Sequence, residues 1–199
     1  EGINMLRGID VSENNGRVNW QEVAHSGVQF AIIRIGYGNG HLDGELYRNV
    51  NNALLHGLKI GVYFYSYALN TRSARKEAEF VIQTLIDCGL TPEKLHMGVW
   101  YDMEDADGYK QRHGMPSTAE LTAMCSAFVS ALNAAGYSCG IYASLDWLEN
   151  KIATKQLADY VPYWCAQWGG SCDWPNAKMW QYTDRFLING CEFDGNYCF

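Results

Sequence analysis

Residues 95–108, LHMGVWYDMEDADG, decide how this chain is read. An apolar run of strand length, carrying Leu95, Met97 and Val99, meets a burst of acid. Side chains two apart on a strand point the same way, so Asp102 and Glu104 share a face. Their Cα atoms would stand about 6.5 to 7 Å apart, a spacing that suits two carboxyl groups working on one bond held between them. An acidic loop after a strand is the plainer reading of the same letters. A calcium loop fails at both ends, since the spacing that ends at Gly108 would need a ligand at Met103 and a glutamate where Gly114 stands.

On the N-terminal side of this stretch, strands and helices alternate. LRGIDV (6–11) reads as a strand ending near Asp10, followed by a polar turn and a helical piece over 20–25. FAIIRIGYG (30–38) is a near-continuous apolar run, as expected of a strand covered on both faces. Residues 45–56 carry helical spacing up to Gly57, and KIGVYFYSYA (59–68) is rich in the aromatic and β-branched residues that favour strands. Ser73 can cap a helix that runs to Cys88 with Ala74, Ala78, Val81 and Leu85 on one stripe and Gly89 as its stop.

On the C-terminal side, Ser117 with Glu120 forms a capping box. Leu121, Met124, Cys125, Phe128 and Leu132 then make one apolar face until Gly136. YSCGIYAS (137–144) is a fifth strand, with a short helix over 145–152. After it, residues 160–168, 177–184 and 191–197 are strand-like with no helix-length pattern between them. Alternating strands and helices predict a parallel sheet with right-handed crossovers, and three further strands make eight, enough to close a barrel. The expectation is an α/β fold: a TIM-like barrel of about five β/α units followed by three strands with little helix. It would form a single catalytic domain over residues 1–199.

A chain of 199 residues can bury roughly 70% of its unfolded surface without a disulfide staple. The net charge of −7 and the scattered Lys and Arg argue against nucleic-acid binding. No apolar stretch approaches a membrane span, and Glu1 begins without a charged-then-apolar leader, so any signal sequence is expected to have been removed or to lie elsewhere. The seven cysteines leave at least one thiol unpaired. Cys125, Cys139 and Cys165 read as small hydrophobes, while one pair among Cys172, Cys191 and Cys198 could bridge in an oxidising compartment.

In barrels of this kind active sites form at the C-terminal ends of the strands. Asp10 ends the first strand and Asp102 and Glu104 the fourth, with Asp184 and Asp194 at the last two, so four or five carboxyls converge on one rim. Tyr37, Tyr63, Tyr65, Tyr142, Trp164 and Trp180 lie toward strand ends as well, although each ring alone could be core. An acidic cleft lined with rings suits a glycosidase better than a phosphate site. RIGYGNG lacks the dinucleotide spacing, and the five His form no H-E-x-x-H beside a chain without C-x-x-C. No metal and no cofactor is expected.

These blocks together resemble the family 25 glycoside hydrolases, the N-acetylmuramidase type of lysozyme found in bacteria and phages. The resemblance runs through GIDVS, AIIRIGYG, GVYFYSYA, YDMED, GIYAS with Trp147, YWCAQW, MWQYTD and FDGNY, in that order and over nearly the whole chain. It implies the same barrel, Glu104 as general acid with Asp102, Asp10 and Asp194 as the acidic cluster around it, and Tyr63, Tyr142, Trp164 and Trp180 in contact with glycan. Phe64 stands where many relatives have His, and Met103 where Val is more usual.

The implied substrate is peptidoglycan, cut at the β-1,4 bond between N-acetylmuramic acid and N-acetylglucosamine. Nearby carboxylates raise the pKa of an acid that must donate a proton. Attack by the substrate's own 2-acetamido group, with Asp102 orienting it and net retention, is preferred over single-step inversion. Rival readings are a chitinase-like barrel, which would need Asp at Gly98 and Trp100, a non-catalytic glycan-binding module, and a wall amidase or peptidase. A monomer acting on glycan strands is expected, secreted or wall-associated, or made in the cytoplasm as a phage endolysin.

Overall fold

The structure, a computed structural model, describes residues 4–199, so the reading of the chain start at Glu1 lies outside it. The strands are β1 (Leu6–Val11), β2 (Phe30–Tyr37), β3 (His41–Leu42), β4 (Lys59–Tyr65), β5 (Val99–Asp102), β6 (Cys139–Ser144), β7 (Tyr163–Ala166), β8 (Met179–Ile188) and β9 (Cys191–Cys198). The α-helices are α1 (Trp20–His25), α2 (Leu46–Leu55), α3 (Thr71–Asp87), α4 (Tyr109–Arg112), α5 (Thr118–Ala134) and α6 (Leu145–Asn150). The strands run in the order β1-β9-β8-β7-β6-β5-β4-β2, and β1 pairs with β2 to close an eight-stranded barrel with β3 as a short flap on β2. This is the TIM-like architecture expected from the alternation, with helices flanking the early strands and few after β7.

Besides the short flap β3, which is antiparallel to β2, one strand of the barrel departs from the parallel pattern. β9 runs antiparallel to both β8 and β1. Its cause is local: Ile188 faces Cys191 across a two-residue turn in which Asn189 and Gly190 have φ of 48° and 81°. Asn-Gly with both residues left-handed is the signature of a tight hairpin, and a hairpin reverses the chain where a helix would have returned it. The reversal brings the early part of β9 to the C-terminal rim of the other strands, with Asp194 opposite Asp10.

Two apolar clusters hold the barrel. Between strands and helices, Ile33, Val62, Tyr101 and Ile141 pack with the stripe of α3 (Ala74, Ala78, Val81, Leu85) and the face of α5 (Leu121, Met124, Cys125, Phe128, Leu132). Inside the barrel, Phe30, Ile32, Met97, Trp100, Trp164 and Met179 fill the lumen. Glycine makes room for these rings: a Cβ on Gly140 would sit 2.5 Å from Trp100 and from the Pro162 carbonyl, and one on Gly8 would fall 2.4 Å from the Phe30 ring. α3 starts earlier than Ser73. Asn70 is extended and accepts from Ser73 N at 2.9 Å while the Ser73 hydroxyl accepts from Asn70 N, so Ser73 is the reciprocal member of the cap. α5 carries the expected box of Ser117 and Glu120.

Candidate active site

The acidic residues are built into the rim by neighbouring strands. Asp10, at the end of β1, is buried, and its Oδ2 accepts from Gln181 Nε2 of β8 at 2.9 Å and from Asn196 Nδ2 of β9 at 2.8 Å. Asn196 in turn accepts from Trp164 Nε1 at 2.8 Å, and Gln181 Oε1 accepts from the Tyr142 hydroxyl at 2.8 Å and Trp168 Nε1 at 3.1 Å. One belt of hydrogen bonds therefore runs through β6, β7, β8, β9 and β1. Each amide uses donor and acceptor ends together, which fixes its orientation and with it the carboxylate it serves.

Across from this belt lies the end of β5. The strand stops at Asp102; Met103 is buried in the outer core, and the next residue turns back toward the cleft. Ser66 N donates to the Asp102 carbonyl at 3.0 Å and Met103 N to the Tyr142 carbonyl at 2.9 Å, which locks the strand end between β4 and β6. Asp102 is 4% exposed, and its Oδ1 receives no hydrogen bond from the described residues. The Glu104 carboxyl is near enough for its charge and its hydrogen-bonding oxygens to act on Asp102. Past the end of β5 at Asp102 the chain leaves the strand, so the strand spacing of about 6.5 to 7 Å does not fix how far apart the two carboxyls stand.

Burial, first of all, and then the charge and hydrogen bond of Glu104 push the Asp102 carboxyl well above the usual range, while Lys110 opposes the shift. Asp10 is raised in the same way, by burial and then by the Asp194 charge, with Asn196 and Gln181 opposing. Burial also raises Asp194, held back by its bond to Asp10, with exposed Asp184 adding its charge. The rim thus holds two neighbouring sets of acids, Asp102 with Glu104 and Asp10 with Asp194, and burial raises Asp102, Asp10 and Asp194.

The cleft has two lobes that meet at Glu104, Ala106, Tyr142 and Gln181. One, of about 310 Å³, is lined by Asp10, Asp102, Asp194, Arg34, Tyr63 and Trp164, with Tyr65 at its side. The other, of about 380 Å³, opens between Trp147 and Trp168. Tyr63, Tyr65, Tyr142 and Trp164 are therefore at the site. Trp164 is buried and meets Tyr142 edge-on at 4.5 Å between ring centres, so it forms floor, and burial keeps the Tyr63 and Tyr142 hydroxyls neutral donors.

Two expected rings lie elsewhere. Trp180 alternates with Gln181 on β8 and so faces outward, packing with Tyr182 and Tyr197. Tyr37 stacks on His41 in a neighbouring cavity of about 540 Å³ behind Tyr67. Asp105 and Asp107 cap α4 by accepting from Lys110 N, Gln111 N and Tyr109 N. All seven cysteines are free, and Cys172 lies against Cys165 instead of Cys191 or Cys198, because β7 and the loop after it fold together. No cluster of potential metal ligands occurs among the described residues, and none of their helices is long and apolar enough to cross a membrane.

Sequence reading passed over Gln181, Asn196, Arg34 and Trp168. A signal existed for two of them: Asn196 stands two residues after Asp194 on one strand, and Gln181 shares the inward face with Met179. Arg34, held by Asp43 at 2.8 Å and Glu13 at 3.3 Å, had none, because an Arg inside an apolar strand declares no partner.

The chain has clear relatives among known proteins. Residues 9–191 match the family model described as glycosyl hydrolases family 25. Lysozyme M1 of Streptomyces globisporus is 24% identical over 95% of this chain and 65% of its own length, and the autolytic lysozyme of Clostridium acetobutylicum is 25% identical over 93% of this chain and 52% of its own. The chain thus spans only part of these relatives. Among solved structures, the modular autolysin LytC of Streptococcus pneumoniae superposes with a TM-score of 0.88 at 26% identity, covering 100% of this chain and 48% of that one. A family GH25 lysozyme from Aspergillus fumigatus shares the fold with a TM-score of 0.82 at 21% identity, covering 98% and 94%. With a family match across nearly all of its length and a barrel that carries the acids at one rim, the chain belongs to the glycosyl hydrolases of family 25.

Proposed function

We propose that this chain is a lysozyme that hydrolyses the β-1,4 bond between N-acetylmuramic acid and N-acetylglucosamine in peptidoglycan, with residues 1–199 acting as one catalytic domain and as a monomer. Family membership supports the glycoside hydrolase reading, and the relatives named lysozymes support the substrate. The observation that carries the mechanism is the placing of Glu104 where two lobes of the cleft meet, with buried Asp102 in one of them. A bond held at that point has a sugar in each lobe and Glu104 beside the leaving oxygen.

Glu104 carries the proton to be donated, and the substrate's acetamido N–H donates to Asp102, whose buried Oδ1 lacks a protein donor. Glu104 then protonates the glycosidic oxygen as the C1–O bond breaks, and the acetamido carbonyl oxygen closes on C1 to give an oxazolinium ion held by Asp102. Water attacks C1 from the vacated side, giving its proton to Glu104 and reopening the amide. Two inversions at C1 leave net retention. A carboxylate nucleophile would need its partner about 5 to 5.5 Å away and an inverting water about 6.5 to 9.5 Å; the unpartnered buried oxygen of Asp102 favours its holding the amide instead. The enzyme meets its substrate at the wall, secreted or wall-associated.

Glu104→Gln tests the assignment. The variant should lose on the order of 10³-fold or more in wall-lysis rate while still sedimenting with walls. Lysis near the wild-type rate would remove Glu104 from the acid role.

A further inference from the structure

Behind the carboxyl pair lies a charge that the reaction as written does not use. Lys110 opens into no solvent: it is 1% exposed, although it sits on the four-residue α4 just after the acidic loop. Its Nζ donates to the Glu104 carbonyl at 2.7 Å and to the Ser66 carbonyl at 2.7 Å, and it makes no ion pair with a carboxylate of the described residues. Beneath it, Glu77 of α3 is also buried, and its Oε1 accepts from the Ser66 hydroxyl at 2.7 Å and the Tyr101 hydroxyl at 2.6 Å while Oε2 accepts from Tyr67 N at 2.9 Å. Glu77 thus fixes the segment whose carbonyl holds Lys110, and Lys110 fixes the main chain of Glu104.

Burying an ammonium group is costly, and an apolar side chain of similar length would fill such a place at less cost in stability. A lysine kept there points to work done by its charge and its donors. We propose, resting on the lysozyme reading above, that Lys110 is a positioning residue for the Asp102–Glu104 pair. It ties the Glu104 main chain to the end of β4 and supplies a positive charge on the protein side of both carboxyls, with Glu77 as the anchor of the tie.

The charged and titratable groups facing Lys110 are Glu77 from α3, Tyr65 at the end of β4 and Tyr67 just past it, Asp102 from β5, Glu104 and Asp105 from the acidic loop, and Cys125 from α5. Its field acts on Asp102 against the effect of burial, so it keeps that carboxyl able to ionise and accept the substrate amide. The active form of the pair holds one proton. Gaining a second gives the acid limb of the rate profile, and losing the first gives the alkaline limb.

Initial rates of reducing-end release from peptidoglycan, measured across pH on the full chain, test the proposal. Lys110→Met should lower kcat roughly tenfold or more with KM within about twofold, the pattern of a misplaced catalytic group. It should also move both limbs up by about one pH unit, because removing a positive charge favours the protonated carboxyls. Lys110→Arg keeps the charge and disturbs the two carbonyl contacts, so it should lower kcat and leave both limbs in place. Unmoved limbs in Lys110→Met, or a loss of rate matched by loss of folded protein in thermal unfolding, would overturn the proposal. If Lys110→Met does not fold, Lys110→Arg decides: reduced kcat with unmoved limbs supports the role, and shifted limbs or wild-type kcat contradict it. A wild type that releases no reducing ends overturns the lysozyme reading and this inference together, whereas an active wild type with unshifted Lys110→Met limbs overturns this inference alone.

Discussion

Asp102 differs from an ordinary strand-end aspartate in having a buried oxygen without a protein donor and a second carboxyl whose charge acts on it. In the proposed reaction it accepts the acetamido N–H, so Asp102→Asn, which presents an amide group there, should cut turnover by about 10²-fold or more while leaving the fold intact. NMR of the first products from the wild type should show the anomeric configuration retained, and an inverted product would exclude participation by the acetamido group. Glu77 is a second unusual carboxyl, pushed up to about 7, chiefly by burial, with its three hydrogen bonds and Lys110 opposing. A carboxyl raised from an ordinary value of 4.5 contributes stability that is fully present below about pH 4.5 and lost as pH rises through about 7, up to about 3 kcal/mol. Denaturant titrations from pH 4 to 8 should show that slope, and Glu77→Gln should flatten it. At this scale the sequence announced the acids, because Asp and Glu at strand ends stand out. It was silent on Arg34, Lys110 and the belt amides, whose roles come from partners far away in the chain, as with Gln181 and Asp10.

Among the elements, α5 was the most legible: its capping box and apolar face appear in the structure as read. Ser117→Ala removes the acceptor for Glu120 N and should cost about 1 kcal/mol, lowering Tm by roughly 2 to 4 °C with activity unchanged. The start of α3 was misread because Ser73 and Asn70 are both good cap residues and only the extended backbone at Asn70 decides between them. β3 and α4 are too short to carry a period, and α4 forms because Asp105 and Asp107 satisfy its first amides. The direction of β9 was legible in Asn189-Gly190, whereas the parallel rule speaks only for strands joined by helices and leaves the last three open. Outward Trp180 follows from alternation once Gln181 is known to face Asp10, a register that periodicity leaves free by one residue.

As a whole the molecule depends on closing the barrel over a lumen crowded with rings. Gly140→Ala should destabilise by about 1 to 3 kcal/mol in thermal unfolding, since the added methyl meets the Pro162 carbonyl and Trp100 at 2.5 Å. Removing residues 191–199 takes away β9, which pairs on both sides and carries Asp194 and Asn196. The shortened chain should show no cooperative unfolding transition. Barrel class was legible because five strand-helix alternations admit few topologies, whereas the belt that links β6, β7, β8, β9 and β1 exists only once the sheet closes. Mass spectrometry of peptidoglycan digested by the purified chain decides whether the bond between N-acetylmuramic acid and N-acetylglucosamine is the one cut beside Asp102 and Glu104. New reducing ends on N-acetylmuramic acid are the predicted result; reducing ends on N-acetylglucosamine, or digestion without new reducing ends, would contradict it.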